Sequence, residues 1–182
     1  MIGFIGLGSQ GGPMARRIAE FGHPLMLWAR SQASLDPFAD TRALYAQSVS
    51  DLGAACEHVG ICVTEDAGVQ AVCGILIPAM KPGGCIAIHS TIHPETCRTL
   101  AAQAATQGIS LLDAPVSGGG PAASAGTLTM MVGGDADVLE TARAVFNCFA
   151  GLIVHLGDVG AGQTAKLVNN SLMAANMALA HL

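Results

Sequence analysis

The chain has 182 residues, 51% of them apolar, 4% aromatic and 12% charged, with a formal net charge of −5. That length makes one ordinary domain, or one domain with an appendage, and the apolar share is enough for a well-buried aliphatic core. An acidic balance without a basic stripe argues against nucleic acid as the main partner, and no run of about 20 uninterrupted apolar residues reads as a membrane span.

Short apolar runs alternate with longer Ala-rich stretches, the βαβ pattern of a doubly wound, mostly parallel α/β sheet. Residues 2–5 read as a buried strand, 13–21 as a helix and 25–28 as a second strand. A helix is expected over 31–38 and strands over 43–45 and 59–63, with Asp51 capping a short helix between them. Helix 65–76, the turn Pro82-Gly83-Gly84, strand 85–88, helix 94–106 and strand 110–112 follow. A strand at 128–132, a helix at 136–149 and a strand at 153–155 complete the pattern. From 163 to 182 there is no breaker, and apolar side chains fall on nearly every side of the helical projection. Such a helix must be buried by something. It reads as the start of a second, all-helical domain, dividing the chain into 1–160 and 161–182, or else as a surface for a partner chain. Self-association into a homo-oligomer is therefore expected.

Met1 runs straight into the first strand with no basic leader, so no secretory signal is expected. Six cysteines (Cys56, Cys62, Cys73, Cys85, Cys97 and Cys148) form no CxxC pair and show no metal-ligand spacing. Most sit within apolar runs and read as reduced thiols of a cytoplasmic protein. His89, His93 and His155 are not grouped at metal spacing and read as structural; no metal site is expected.

The first constellation with chemistry in it is Gly6-Leu7-Gly8-Ser9-Gln10-Gly11. It follows a strand directly and opens a helix, the context a dinucleotide-binding turn requires. Gly6 permits the tight turn, Gly8 lets a pyrophosphate reach the backbone, and Gly11 allows close helix–sheet packing. The helix N-terminus offers free N–H groups to the phosphates. An NAD site usually places Asp or Glu about 20 residues on, at the end of the second strand. Here that position reads Trp28-Ala29-Arg30-Ser31, with no carboxylate. Arg30 could pair with a 2′-phosphate through its bidentate fork; otherwise it is a solvated loop arginine. NADP is favoured, with NAD as the other option. Thr64 and the pair Ser90-Thr91 follow strands at positions where α/β sheets bind ligands.

The remaining motifs resemble one family. Gly3-Phe4-Ile5-Gly6-Leu7-Gly8, with Gly11, Pro13, Met14 and Ala15, is similar to the opening of the β-hydroxyacid dehydrogenases, the group of 3-hydroxyisobutyrate dehydrogenase and tartronate semialdehyde reductase. Asp113-Ala114-Pro115-Val116-Ser117-Gly118-Gly119 resembles that family's substrate loop, and Gly126-Thr127-Leu128 and Met131-Val132-Gly133-Gly134 continue the likeness. Gly160-Ala161-Gly162-Gln163-Thr164-Ala165-Lys166-Leu167-Val168-Asn169-Asn170 resembles its catalytic-lysine motif. Gln10 stands where the family commonly has Met, and Arg17 where it commonly has Asn. Neither change removes a group the phosphate turn requires.

The resemblance implies a Rossmann-type domain followed by the start of a long helix of an all-α domain that would close the active-site cleft. It implies hydride transfer between NADP(H) and a small β-hydroxyacid or its semialdehyde, with Lys166 as general acid and base. Ser117, Gly118 and Gly119 would hold the substrate carboxylate, and Asn170 would orient the substrate. The Ser90-Thr91 pair would lie near the nicotinamide ribose. The residues themselves agree. An ammonium on an otherwise apolar helix is costly to bury unless paired, and burial lowers its pKa toward usable values. Lys166 and Asn170 are four apart and share a helix face. The bland readings are a lysine that snorkels to solvent and a flexible Gly-rich loop. Two other functional readings stay open: a dinucleotide-binding module without turnover, and an oxidoreductase like the imine reductases, which Lys166 disfavours.

Overall fold

The computed structural model describes residues 1–180; the last two residues of the expected terminal helix lie outside them. Six short strands form the main sheet: β1 (Ile2–Ile5), β2 (Leu25–Trp28), β3 (Leu44–Tyr45), β4 (His58–Ile61), β5 (Cys85–Ile88) and β6 (Ser110–Asp113). Their order is β3-β2-β1-β4-β5-β6 and every pair is parallel. This is the Rossmann arrangement, in which strand order reverses beside β1.

Side chains alternate across the sheet, as a two-residue period demands. Phe4, Ala87 and Leu112 enter one core, together with Met14, Ala15 and Ile18 of α1 (Gly11–Glu20) and Leu139, Ala142 and Phe146 of α6 (Ala136–Phe146). Ile5, Ile61, Ile86 and Ile88 enter the other. That second core is covered by α2 (Val49–Ala55), α3 (Asp66–Ala79) and α4 (Pro94–Ala105). The sheet is thus sealed on both faces, which is why its strands read as continuous apolar runs.

Several elements differ from the sequence expectation. Residues 31–38 form two 3-10 turns (Gln32–Ser34 and Asp36–Phe38), not a helix. Pro37 lacks an N–H and disfavours helical geometry at Asp36, so no longer ladder can form. Arg16 fastens this stretch from α1, donating to both carboxylate oxygens of Asp40 at 3.0 and 2.9 Å and to the Pro37 carbonyl. The cap of α2 is Ser48, not Asp51: the Ser48 hydroxyl oxygen accepts from the Asp51 N–H at 3.0 Å.

The glycine-rich stretch after β6, expected as a loop, contains two elements. These are β7 (Val116–Ser117) and α5 (Gly119–Ala125), which ends at Gly126 in the left-handed conformation. With β8 (Leu128–Val132) and β9 (Ala150–His155), β7 builds a separate three-stranded sheet, antiparallel to β8, while β9 runs parallel to it. The expected helix 136–149 stops at Phe146, and Phe149 turns back into the core. Finally α7 (Ala161–Leu179) packs its first turns on β8, β6 and α4, whereas residues 171–180 are exposed throughout.

Two histidines are buried among rings on the α6 face. His89 stacks on Phe4 and meets Phe146 and Phe149 edge-on; His58 meets Phe146 edge-on. The Nδ1 of His89 pairs with the Ala114 carbonyl at 3.0 Å. Nε2 of both rings is sealed from water without a hydrogen-bond partner, although His58 retains some surface as a residue. Burial pushes His58 down to about 3, reinforced by His89, and pushes His89 down to about 4. Both rings are therefore neutral in the fold, while the unfolded chain takes up protons near the ordinary 6.5. Their contribution to stability is complete above that value and falls as pH drops from 6.5 toward 4. Urea midpoints should decline across this window, with a limiting slope of about 1.4 kcal/mol per pH unit for each imidazole. His58→Gln combined with His89→Gln should flatten the decline.

Candidate active site

The C-terminal ends of the parallel strands present their loops along one edge. After β1, Gly6 has φ of +94°, and a Cβ there would overlap the Cys62 carbonyl. A Cβ on Gly11 would overlap the Gly6 carbonyl. These two glycines are demanded by the protein's own packing. Gly8 is different: a Cβ there would meet nothing within 4 Å, so the fold leaves open space above that residue. No side chain caps the start of α1, and its first turn carries no acidic residue. An uncapped helix end with its positive dipole, beneath an open glycine, fits a pyrophosphate.

Other candidates lie along the same edge. Ser9 is exposed, and Leu7 and Gln10 are half-buried. Arg30 and Ser31 are exposed beyond β2, Thr64 beyond β4 and Thr91 beyond β5. Ser90 is buried, and its hydroxyl accepts from the Val63 N–H at 2.8 Å, joining the loops that carry Thr64 and Thr91. The start of α5 packs on the glycine turn so closely that a Cβ on Gly120 would stand 2.7 Å from the Ser9 carbonyl oxygen. The Ser117-Gly118-Gly119 turn is thereby held beside the phosphate turn.

On the far flank, the structure singles out residues that the sequence reading quoted but gave no role. Asp113, at the end of β6, is fully buried. It accepts from the Gly160 N–H at 2.7 Å and from the Gln163 N–H at 2.8 Å. Burial raises its pKa, with these two bonds acting against the rise. Gln163 is also fully buried; its side-chain oxygen accepts from the Ile92 N–H at 3.0 Å, and its amide donates to the Ser90 carbonyl at 2.7 Å. For Asp113 the signal was a lone carboxylate between Leu111-Leu112 and Ala114-Pro115; Gln163, beside Thr164, gave none.

Lys166 is 8% exposed, and burial lowers its pKa below the ordinary 10.5. Among the described residues no side chain or carbonyl pairs with it. On the same helix face, Asn169 donates to the Ser117 hydroxyl at 3.4 Å and to the Asn170 side-chain oxygen at 3.5 Å. Ser117, Asn169 and Asn170 are thus brought together beside the lysine's helix. Arg30, beyond β2, stands at the opposite flank, four strand spacings or about 19 Å from the β6 end.

The histidines serve the fold. His93 accepts from the Glu95 N–H at 3.2 Å and caps α4, and Nε2 of His155 pairs with the Gly134 carbonyl at 2.8 Å. Among the described residues no group of three His, Cys, Asp or Glu is placed to hold a metal, and all six cysteines are free. Arg17, one of the two departures from the resembled family, donates to the Cys148 carbonyl at 2.9 Å and ties α1 to the turn between α6 and β9. No helix among the described residues is long and apolar enough to cross a membrane.

Comparison with known proteins accounts for this arrangement. Residues 1–157 match the family described as the NAD binding domain of 6-phosphogluconate dehydrogenase. The NAD-dependent L-serine dehydrogenase of Pseudomonas aeruginosa is 40% identical over 182 residues, covering 97% of this chain and 60% of that protein. The solved 3-hydroxyisobutyrate dehydrogenase of Mycobacterium tuberculosis, determined with L-serine, superposes with a TM-score of 0.92 at 34% identity, covering 95% of this chain and 60% of that one. Psf3, solved in complex with NADP+ and 2-OPP, superposes with a TM-score of 0.90 at 29% identity, covering 93% and 61%. The chain spans about 60% of the length of these relatives. The match runs through the glycine turn and the whole six-stranded sheet, and the chain belongs to the family of the NAD binding domain of 6-phosphogluconate dehydrogenase.

Proposed function

We propose that this chain carries the cofactor-binding half and the acid–base lysine of an oxidoreductase. It would move a hydride between NADP(H) and a small β-hydroxyacid or the corresponding semialdehyde. The observation that carries this reading is Lys166: a nearly buried, unpartnered amine on the helix face that reaches Ser117. A stably buried ammonium normally has a partner, so an amine without one is available to a ligand.

A bound nicotinamide supplies the hydride. Gly6, Leu7, Gly8, Ser9, Gln10 and Gly11 would hold its pyrophosphate at the end of α1, with Thr64 and Thr91 available to the ribose side. Ser117, Gly118 and Gly119 receive the substrate carboxylate through a hydroxyl and backbone N–H groups. Asn170 orients the substrate, and Asn169 fixes the Ser117 hydroxyl. When the carbonyl is reduced, Lys166 donates a proton to the forming alkoxide; in the reverse direction it accepts the hydroxyl proton. Arg30 pairs with a 2′-phosphate, a role supported by the absence of any carboxylate at the end of β2.

The division at residue 160 is supported by the family match, which ends at residue 157, just before α7. Leu172, Met173 and Leu179 are each more than half exposed on α7. Each leaves roughly 1 kcal/mol or more of burial unrealised, which supports a homo-oligomer. A dinucleotide-binding module without turnover is the second reading, supported by a family match that lies on the cofactor domain, residues 1–157.

Turnover of a semialdehyde panel with NADPH should fall about 100-fold or more in Lys166→Ala, with the cofactor Kd within about threefold. Equal rates in the two proteins would remove Lys166 from the chemistry. Tight cofactor binding with no turnover in either would favour the module. Titration calorimetry should show NADPH preferred over NADH, and Arg30→Ala should weaken NADPH roughly 10- to 100-fold while leaving NADH almost unchanged. An Arg30→Ala variant that binds both as before would assign NAD instead. Light scattering at micromolar concentration should report a dimer or larger species; a strict monomer would count against self-association.

A further inference from the structure

Gln163 occupies the third helical position of α7, counting from the cap at Gly160. At that position a Gln side chain commonly reaches back to the N–H of the capping residue. Here the Asp113 carboxylate has taken the Gly160 N–H already. The Gln163 amide is therefore released from its local task, and it reaches across to a different element. Its oxygen accepts from the Ile92 N–H and its nitrogen donates to the Ser90 carbonyl, both in the turn between β5 and α4. Its own N–H is held by Asp113 from β6. The Ser90 hydroxyl then holds the Val63 N–H beyond β4. An unbroken set of hydrogen bonds runs from the first turn of α7 through the ends of β6, β5 and β4.

We infer that Gln163 is a positioning residue that registers the Lys166 helix against the Thr91 and Thr64 loops, and through them against the nicotinamide end of the cofactor. This rests on the reading of Lys166 as the acid–base group. Lys166 lies three residues beyond Gln163, one turn along the same side of the helix. A fully buried amide is costly to desolvate, and an apolar residue of similar length would avoid that cost. Its side-chain oxygen and amide hydrogen-bond the two backbone groups that define the Thr91 turn. The titratable groups near it are the Asp113 carboxylate, which accepts from its backbone N–H, and the buried Cys97 thiol of α4. A small error in the placement of a reacting group costs rate far more than it costs binding.

The test uses the whole chain with Gln163→Met, which keeps length and removes both side-chain hydrogen bonds. Lys166 and Lys81 are the only lysines, so competitive amine labelling read by peptide mass spectrometry follows Lys166, with exposed Lys81 as reference. With the fold verified by circular dichroism, the Lys166 labelling profile should move up by roughly half a pH unit or more as the amine is released toward water. The turnover number should fall about tenfold or more, while KM and the NADPH Kd stay within about threefold. An unchanged labelling profile and turnover, with only a lower melting temperature, would reduce Gln163 to a structural clamp and overturn the inference.

If Gln163→Met does not fold, Gln163→Asn, polar but too short to span both groups, takes its place with the same readouts. In the unaltered chain the Ile92 amide should exchange as slowly as core strand amides, and fast exchange would also overturn the inference. Should Lys166→Ala leave turnover intact, the acid–base reading fails, yet the labelling profile still decides whether Gln163 positions the helix.

Discussion

One buried carboxylate joins the parts of this molecule. The backbone N–H and carbonyl of Asp113 pair with Gly133 and so connect the end of the six-stranded sheet to the smaller one. Its side chain receives two N–H groups from the start of α7, at 2.7 and 2.8 Å. Removing a carboxylate from water costs several kcal/mol. Two charge-assisted bonds and the positive end of a helix offset that cost, each acting within a dry environment where it is strong. The direction in which α7 leaves the sheet follows from this contact. So does the freedom of the Gln163 side chain to reach the β5 loop.

The location of chemistry along the sheet edge follows from the same geometry. At the β1 end, packing requires glycine at two positions and leaves a third open, which is what a ligand that approaches the backbone needs. At the β6 end an amine is held in low-dielectric surroundings without a counter-ion. Burial destabilises its charged form and lowers its pKa. Between these ends α5 rests directly on the glycine turn, so the turn presumed by resemblance to hold a carboxylate and the turn that fits a pyrophosphate share one support. The ring cage around His58 and His89 lies on the same sheet face as α1, and it keeps that support dry at the cost of two unpartnered ring nitrogens.

Much of this was legible in the chain itself. The alternation of apolar runs and Ala-rich stretches located every strand of the main sheet to within about two residues, because short-range periodicity is a local property. The glycine turn was legible for the same reason: strand, turn and helix are contiguous, so one short segment contains the whole mechanism. Residues 31–38 misled because the helical pattern was interrupted by Pro37 and by the pull of Arg16 on Asp40, a contact 24 positions away. The α5 segment was obscured because Gly119 and Gly120 have poor helix propensity. It forms through tertiary packing on Ser9.

The sequence by itself determined the doubly wound architecture, the position of the dinucleotide turn and the residue types gathered downstream. These depend on periodicity and on backbone freedoms that a few neighbouring residues control. Only the tertiary structure decided that Lys166 is buried without a partner, that Asn169 reaches Ser117, and that Asp113 and Gln163 clamp the helix. The last two are meetings of elements 50 to 73 residues apart in the chain, and such distances are closed by core packing rather than by local sequence.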